Sequence, residues 1–594
     1  MSPDPTTEPS TGAPVRPGII TGVLTGLITA AVALGIGQLV AGLTGPQGSP
    51  VVAVGGATID LTPPPVKDFA ITAFGANDKT ALVTGILVLL AVFAALIGVV
   101  AMRRFSYGVA GLAAFTAIGL AAALTRPTFT PVDVLPSLAG GAAGLLVLHR
   151  LVRSARADAA LDAGAALDAG AALDAGTALG DGGPPGPPPL PGAAPAGPAA
   201  PAGAARPGSE PVAPGASWVP ARPGGEPAGR HAAARPAAAA PGRRTFLLTG
   251  SVALVAAGAS GLVGRALAER TSVSTARAAI RLPRPARSLP SLPPGTDLDI
   301  PGLSPFVTPN GAFYRVDTAL ILPQVAPSSW QLRIHGMVTH ELTVTFDDLL
   351  KMPITEDWIT LCCVSNPVGG PYIGNARWLG TSVARLLRAA GIRSGAQQLL
   401  CTSVDGFTSG TPVQTVMDGR DARLAVAMNG TPLPVAHGFP ARLVVPGLYG
   451  YVSACKWITD IKVTTFVNEY AYWAQRGWSQ QAPVKTESRI DVPKGNTAVK
   501  AGRTAIAGVA WAQHKGIEAV EVRIDGGDWR QARLAAVPGI DTWRQWVLDW
   551  NATRGNHVIE ARATDKTGYT QTAAQAPPPP NGATGYPTVT VTVQ

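Results

Sequence analysis

The stretch ITLCCVSNPVGG, residues 359–370, joins an apolar strand-like run to two adjacent cysteines and a turn rich in proline and glycine. Cys362 and Cys363 are two of only four cysteines in the chain, the others being Cys401 and Cys455. Their spacing matches no zinc-finger pattern, and adjacent cysteines are poor disulfide partners. We therefore expect thiol chemistry or buried thiols. A turn directly after the strand places the Cys363 sulfur at the wall of a cleft, whereas Cys362 faces the other side of the strand.

The composition indicates a multi-domain chain with a membrane-embedded part. The chain has 594 residues, of which only 14% are charged. Its mean hydropathy of +0.23 is high for a soluble protein, and its length exceeds that of one domain. The net charge of +10 does not come from a basic cluster interleaved with aromatic residues, so we expect no nucleic-acid partner.

Four long apolar segments follow a Pro-, Thr- and Ser-rich N-terminus, residues 1–17, that we expect to be disordered. Each segment approaches or exceeds the roughly 20 residues that a helix needs to cross a bilayer. Their high glycine and alanine content suits close helix packing in lipid. We predict four transmembrane helices within residues 18–153, in preference to buried helices of a soluble protein. The segments are residues 18–43, 80–101, 106–124 and 134–152.

The orientation of these segments follows from their flanking charges, because lysines and arginines accumulate on the cytoplasmic side. Basic residues cluster after the second and fourth segments and are sparse in the opposite loops. This distribution predicts a cytoplasmic N-terminus. The clusters are Arg103 and Arg104, then His149, Arg150, Arg153 and Arg156, against Lys67, Lys79 and Arg126 in the opposite loops.

Residues 154–241 have low sequence complexity, in which an ALDAGA repeat gives way to a Pro-, Ala- and Gly-rich stretch. Such a composition cannot bury enough apolar surface to offset the entropy of ordering it. We therefore predict a cytoplasmic linker, extended where proline is dense.

The linker is followed by GRRTFLLTGSVALVAAGASGLVGRALAER, residues 242–270, in which two arginines precede a weakly hydrophobic run. This pattern is typical of a twin-arginine export signal, and the alternative is an ordinary fifth transmembrane helix. No small-residue cleavage site follows, so we expect the segment to remain as an anchor. Both interpretations place the rest of the chain outside the cytoplasm. A twin-arginine route carries folded proteins, which suits a protein that receives its cofactor before export.

The soluble half divides into an α+β domain, residues 296–482, and an all-β domain, residues 483–594. The first contains a capped helix within residues 345–353 and an amphipathic helix within residues 379–392. In the second, short alternating strands are joined by turns such as DGG at residues 525–527. The pattern of the second domain predicts a β-sandwich.

The motifs of the soluble half, taken together, resemble the molybdopterin-dependent sulfite oxidase family, in a membrane-anchored form of the actinobacterial type. The resemblance implies a multi-domain fold with N-terminal transmembrane α-helices, an α+β molybdopterin domain and a C-terminal immunoglobulin-like β-sandwich. The motifs are TLCCVSNPVGG and GNARWLGTSVARLL within residues 360–387, DGFTSGTP (405–412), HGFPARLVVPGLYGYVSACKWITDI (437–461) and GVAWAQHKGIEAVEVRIDGG (508–527).

The resemblance assigns Cys363 as the metal ligand and catalytic residue, since it matches the family cysteine in a T-L-x-C-x-x-N context. A pterin dithiolene supplies two sulfur ligands to molybdenum, and a thiolate adds a third soft donor. By contrast, we interpret Cys362, Cys401 and Cys455 as buried, inert thiols.

The pterin also carries a phosphate, for which arginine and lysine are natural partners. By resemblance, His437, Arg442, Ser453 and Lys456 hold it. The alternative is that polar side chains of the HGFPAR turn are merely solvated. The remaining candidates for contact with the pterin are Asn310, Tyr314, Asp405 and Thr408.

Three positions depart from the family pattern. Pro309 aligns with an arginine of sulfite oxidases, Gln475 with their active-site tyrosine, and Lys515 with an arginine of the sandwich domain. A pocket that lacks fixed cations and a tyrosine hydroxyl suits sulfite less well. The sequence therefore predicts two-electron oxygen-atom transfer at molybdenum on a small substrate that need not be sulfite.

Two other functions remain open, a reductase of sulfoxide-type substrates and an exported binding module with a degenerate cofactor site. No haem is expected in this chain, because the apolar segments contain a single histidine, His149, and CxxCH is absent. Electrons must then pass to or from a separate cytochrome or membrane subunit. By resemblance, the sandwich could form a homodimer, although an anchored chain could equally be monomeric. We expect a multi-pass membrane protein whose catalytic domain lies outside the cytoplasm.

Overall fold

A computed structural model describes residues 18–63, 66, 69, 73–74, 78–126, 129–177, 243–270 and 273–594. The predicted disorder of residues 1–17 and the linker beyond residue 177 lie outside the described residues. The N-terminal part is helical, and the C-terminal part is a mixed and then purely β structure. The main N-terminal helices are Ile19–Thr44, Pro50–Leu61, Asp78–Arg103, Phe105–Leu124, Leu135–Thr177 and Arg243–Arg270.

Five of these helices are long and apolar enough to cross a membrane, and we call them the bundle. They include the four predicted segments and the helix that follows the linker. Pro50–Leu61, which the sequence analysis left within a loop, is a shorter apolar helix. The five spans are Ile19–Thr44, Lys79–Arg103, Phe105–Leu124, Pro131–Ala160 and Thr245–Ala268.

Small residues let the bundle helices approach backbone to backbone. A Cβ added at Gly26 would lie 1.8 Å from the carbonyl oxygen of Ala94, and one at Gly264 would lie 2.5 Å from that of Gln38. Glycine at such contacts allows the van der Waals packing that drives helix association in lipid. The helix after the linker is therefore packed directly against the first helix.

The basic residues at the helix ends meet at one end of the bundle. The Arg156 guanidinium donates to the carbonyl oxygens of Ala101 and Met102, at 3.1 and 3.2 Å. Phe246, near the start of the last helix, is buried in the same cluster as Met102. At the opposite end, Pro50–Leu61 contacts the soluble half, where the Tyr472 hydroxyl donates to Asp60 at 2.8 Å.

The fourth predicted segment continues as a helix to Thr177, so residues 154–177 differ from the unstructured linker that the sequence analysis predicted. The ALDAGA repeat explains the difference, because alanine and leucine have the highest helix propensities and one glycine per repeat costs only about 1 kcal/mol.

The α+β domain is built on two sheets. Thr355–Cys362 pairs antiparallel with Ile373–Ser382, and this hairpin carries the Cys363 loop between its strands. The two predicted helices are present as Phe346–Lys351, with Thr345 as N-cap, and Val383–Ala390, with Ser382 as N-cap. In sheet order, the strands are Leu342–Thr345, Gln331–Gly336, Ile458–Thr464, Gln398–Ser403 and Thr408–Pro412, and then Thr355–Cys362, Ile373–Ser382, Arg423–Met428 and Thr431–Pro432, with Arg442–Val444 beside Arg423–Met428.

Residues before 296 also belong to this domain, although the sequence analysis placed its start there. Val273 is buried with Phe313 and Trp378 in one apolar cluster. Arg277 donates to the carbonyl oxygen of Leu433 at 2.7 Å, and Ala286 N–H donates to that of Ile354 at 2.7 Å. The domain therefore begins almost immediately after the last bundle helix.

The β-rich region predicted after residue 483 is present and consists of two sheets that share one apolar core. Trp546 from one sheet and Ile559 from the other lie in this core. The DGG turn has positive φ at Asp525 and Gly526, as a tight hairpin requires. In sheet order, the strands are Glu487–Val492, Gly502–Trp511, Arg544–Ala552 and Arg533–Leu534, and then Ala498–Val499, Thr588–Val593, Gly555–Asp565, Ile517–Ile524 and Arg530–Gln531.

Candidate cofactor site

The loop that begins at Cys363 is closed by its own backbone and by one asparagine. Cys363 N–H donates to the carbonyl oxygen of Tyr372 at 2.9 Å, and Tyr372 N–H donates to the side-chain oxygen of Asn366 at 2.7 Å. A Cβ at Gly370 would lie 2.6 Å from that oxygen, so the loop requires glycine there. The SNPVGG sequence thus shapes a tight turn that fixes the thiol just beyond the strand end.

The two adjacent thiols occupy different environments. Cys362 is fully buried in the main core of the domain, whereas Cys363 retains 8% exposure. Burial raises the pKa of the Cys363 thiol, and hydrogen bonds from Ser365 and the charge of Lys456 act in the opposite direction. A thiolate at Cys363 therefore needs a positive partner, such as a metal ion.

Tyr314 lies near the strand end that carries the thiols, since a Cβ at Gly450 would lie 3.6 Å from the Cys362 carbonyl oxygen and 3.8 Å from the Tyr314 hydroxyl. Its ring stacks on Phe313 with centroids 5.2 Å apart. Burial raises the pKa of the Tyr314 hydroxyl well above its usual value, with further contributions from Cys363 and Cys362, and Arg442 opposes them. The Tyr314 hydroxyl is therefore within electrostatic range of both thiols and of Arg442.

A glycine turn brings three predicted phosphate ligands together. Gly438 has a φ of +106°, and a Cβ there would lie 2.9 Å from Arg442 Cβ and 3.2 Å from Lys456 Cα. The turn can pack this closely only because residue 438 has no side chain. It joins His437 to Arg442 and Lys456.

Arg442 is held rigidly at the base of this group. Its guanidinium donates to the carbonyl oxygens of His437 and Ala454, both at 3.2 Å, and lies 5.1 Å from the centre of the Trp378 ring. Burial lowers the pKa of Arg442 to about 10. Arg442 remains a cation at neutral pH, already oriented for an anion.

His437 is a neutral member of the group. Burial, with the charge of Arg442, lowers the pKa of His437 to about 4. Its Nε2 lies 3.1 Å from the carbonyl oxygen of Asn310, an atom that can only accept, so Nε2 carries the proton. His437 therefore offers hydrogen bonding and shape to this site, not charge.

Lys456 completes the group and is paired with a residue that the sequence analysis missed. Its Nζ donates to Asp317 at 2.6 Å, and its side chain is 10% exposed. Burial lowers the pKa of Lys456 to about 8, although Asp317 opposes that shift. Nothing in the local sequence distinguishes Asp317 from other loop aspartates, because its partners are distant in the chain.

The other four predicted residues have local roles in the fold. Ser453 is fully buried, and its hydroxyl donates to the carbonyl oxygen of Leu448 at 3.0 Å. The Asn310 side chain accepts from the amide of Asn429 at 2.8 Å. That Ser453 binds phosphate and Asn310 the pterin remains a prediction.

Asp405 and Thr408 lie at the turn between Gln398–Ser403 and Thr408–Pro412. Asp405 accepts from the backbone N–H of Phe407 at 3.2 Å, and the Thr408 hydroxyl accepts from that of Tyr472 at 2.9 Å. The Asp405 charge contributes to the raised pKa of Cys455, which precedes Lys456 in the chain. The turn therefore lies beside the cluster of His437, Arg442 and Lys456, close to Lys456.

The three departures from the family pattern lie away from the thiol or are engaged elsewhere. Pro309 is exposed. Gln475 is exposed and donates to the carbonyl oxygen of Tyr470 at 2.8 Å, and Lys515 donates to Asp565 at 3.3 Å. A different sandwich residue touches the cysteine loop, since Arg489 donates to the carbonyl oxygen of Gly370 at 3.2 Å.

The side chains of the candidate site suit a ligand that carries a metal ion at one end and a negatively charged group at the other. Cys363 supplies one soft ligand, and Arg442 and Lys456 supply two buried cations. The side-chain nitrogen of Asn366, in the loop that begins at Cys363, is buried without a hydrogen-bond partner, although most such donors in proteins are satisfied. A bound group with a hydrogen-bond acceptor at this loop would satisfy that donor.

Comparison with known proteins agrees with this chemistry. The family model described as the oxidoreductase molybdopterin binding domain matches residues 319–473, which include the thiol and the cationic group. Sulfite oxidase of Gallus gallus is 30% identical over 323 residues, covering 46% of this chain and 69% of that protein.

Two further relatives support the same conclusion. The mitochondrial sulfite oxidase of Rattus norvegicus is 29% identical over 290 residues, covering 41% of this chain and 53% of that protein. An uncharacterized oxidoreductase of Bacillus subtilis, YuiH, is 30% identical over 151 residues, covering 25% of this chain and 73% of that protein. The chain thus spans about half the length of the mammalian relative. Because the Gallus gallus enzyme is matched over more than two thirds of its length, the chain belongs to the sulfite oxidase family of molybdopterin-binding oxidoreductases.

Proposed function

We propose that this protein is a membrane-anchored, extracytoplasmic oxidoreductase that depends on the molybdenum cofactor. The observation that carries the proposal is the Cys363 thiol, held just beyond a strand end by its loop and within electrostatic range of Tyr314 and Lys456. When bound, the cofactor supplies two-electron oxygen-atom transfer to or from a small substrate.

The protein residues would hold and orient the cofactor. Cys363 would ligate the metal, and its thiol would release its proton when the metal binds, as coordinating thiols do. Arg442 and Lys456 would bind the phosphate, the first as a fork and the second as a point charge. His437 is neutral and would add no charge at the phosphate. It would help to fix the Gly438 turn that joins it to Arg442 and Lys456.

The proposed orientation rests on the distribution of charge along the bundle. The arginine-rich helix ends lie together at one end, which the positive-inside rule assigns to the cytoplasm. The soluble half contacts the opposite end, where Lys79 pairs with Asp317 and Asp60 with Tyr472. The twin-arginine pattern at residues 243–244 supports export of a folded, cofactor-loaded domain. Electrons would pass to or from a separate cytochrome or membrane subunit.

A sulfoxide-type reductase is the second candidate for the same site. Sulfite is an anion and needs fixed cations near the metal, whereas a sulfoxide is neutral. Lys515 is bound to Asp565, and Pro309 and Gln475 carry no charge. These three positions favour a substrate that requires less positive charge.

The test compares the two adjacent cysteines in the full chain. In Cys363→Ser we expect at least tenfold less molybdenum per protein, whereas Cys362→Ser should keep the metal and lose stability, because Cys362 lies in the core. Metal content and pterin fluorescence are measured on purified protein. Sulfite with an electron acceptor and a sulfoxide with an electron donor then distinguish the two reactions. Equal molybdenum in both variants, or no pterin in the wild-type protein, would contradict the proposal.

A further inference from the structure

One buried carboxylate connects the bundle to the candidate cofactor site. Asp317 accepts from Lys456 Nζ at 2.6 Å and from Lys79 Nζ at 2.5 Å. Lys79 stands at the start of a bundle helix, 238 residues away in the chain. Arg315 also donates to Asp317, at 2.9 Å.

This carboxylate is nearly excluded from solvent, since its side chain is 5% exposed. Burial by itself raises the pKa of Asp317, but Lys456, Arg315 and Lys79 outweigh it and hold that pKa far below its usual range. Asp317 is therefore an anion at neutral pH. Interactions among such poorly hydrated charges are less screened than those at a surface.

The same end of the bundle makes a second contact with the soluble half. Asp60, at the end of Pro50–Leu61, accepts from the Tyr472 hydroxyl at 2.8 Å and lies 3.7 Å from Arg476. Its side chain is 49% exposed. This contact docks the two halves without involving Asp317 or Lys456.

We propose that Lys79 is a positioning residue of the cofactor site, which neutralises Asp317 and so leaves the Lys456 ammonium available to the cofactor phosphate. The proposal rests on the function proposed above, in which Lys456 binds that phosphate. It makes cofactor retention depend on a residue of the membrane-embedded part of the chain.

The physical argument is a balance of charge. With Lys79 in place, the single carboxylate of Asp317 faces three cations, so the local field stays positive and Lys456 can turn toward another anion. Without Lys79, Asp317 is neutralised only by Arg315 and Lys456, so it holds the Lys456 ammonium more firmly and leaves it less available to the phosphate. The cofactor should then dissociate faster.

The experiment measures the rate at which purified full-length protein in detergent loses molybdenum and pterin at low ionic strength. Lys79→Gln should lose both roughly fivefold faster than wild type, a size consistent with one partly exposed charge pair. Lys79→Arg should behave like wild type, because the charge is kept. In an Asp317→Asn background, Lys79→Gln should have no further effect.

Asp60→Asn is the matched control, since it weakens docking of the same two halves without touching Asp317. It should leave cofactor retention unchanged. Equal acceleration in Asp60→Asn and Lys79→Gln would overturn the proposal, because docking alone would explain it.

Lys456→Gln separates this inference from the proposed function. If Lys456→Gln loses cofactor rapidly while Lys79→Gln matches wild type, the inference is wrong and the phosphate role of Lys456 stands. If Lys456→Gln also matches wild type, both are wrong.

Discussion

The two sides of the candidate site differ in how far their polar side chains are buried and fixed by hydrogen bonds. On the pterin side, Arg442 is buried and fixed by two backbone carbonyls, and Lys456 is nearly buried. On the proposed substrate side, where the chain departs from the family pattern, Gln475 is exposed and Lys515 is bound to Asp565.

The difference indicates which ligand the chain is organised to hold. Burying a cation costs free energy unless hydrogen bonds compensate for lost hydration, and Arg442 has such bonds. The Arg442 guanidinium is therefore already fixed in place, so the protein need not rearrange before an anion binds to it. Under the proposed function, Arg442 is fixed in this way for the phosphate of a cofactor, whereas Pro309, Gln475 and Lys515 provide no comparably fixed buried cation.

The largest expected effect comes from breaking the pterin side at Arg442. In Arg442→Met, the carbonyl oxygens of His437 and Ala454 lose their donor, at a cost of about 1–3 kcal/mol for each buried group. We expect loss of most bound molybdenum together with a lower melting temperature. Arg442→Lys keeps the charge but not the fork, and should be intermediate in metal content. Full molybdenum content in Arg442→Met would show that this side does not bind the cofactor.

A smaller effect is expected from pH, through Lys456. Because its pKa is about 8 and the protonated form carries the charge, anion binding should be strong below pH 8 and weaken as pH rises through that value. Sulfate serves as the probe, since it does not titrate in this range, and its stabilisation of cofactor-free protein is measured by thermal unfolding between pH 6.5 and 9.5.

Lys456→Arg is the control for this titration, because arginine stays charged across the range. Its sulfate effect should not change with pH. If the stabilisation of the wild-type protein by sulfate is also independent of pH, Lys456 does not bind the anion.

The smallest effect is expected on the substrate side. Gln475→Ala removes an exposed side chain bonded only locally to Tyr470, so molybdenum content should match wild type and kcat/KM should change less than about twofold. Steady-state kinetics measure kcat/KM with sulfite or the sulfoxide, whichever is turned over faster. A tenfold loss of kcat/KM would show that Gln475 acts in the site, and the proposed difference between the two sides would be wrong.

Local signals in the sequence were sufficient for the elements that carry the thiol. A strand that ends at Cys362, followed by proline and glycine, predicted the turn, and Thr345 before two aspartates predicted a capped helix. Both patterns depend on neighbours a few residues apart, where propensity and capping act.

Long-range pairing could not be predicted in this way. Asp317 acquires its contacts from Lys79 and Lys456, and the Ser453 hydroxyl donates to the carbonyl oxygen of Leu448, a contact that its own sequence does not indicate. Lys515 was assigned by alignment alone, and only the folded sheets reveal that it meets Asp565. The family resemblance identified the type of site, whereas the charges that tune it depend on the tertiary fold.

The short connection between the last bundle helix and the soluble half has a consequence for how tightly the two must bind. The helix ends at Arg270, and Val273 is already buried in the next domain. Two partners joined so closely meet at a very high effective concentration, of the order of millimolar or more for short links. Contacts such as those of Asp60 and Lys79 therefore need little intrinsic affinity to be populated.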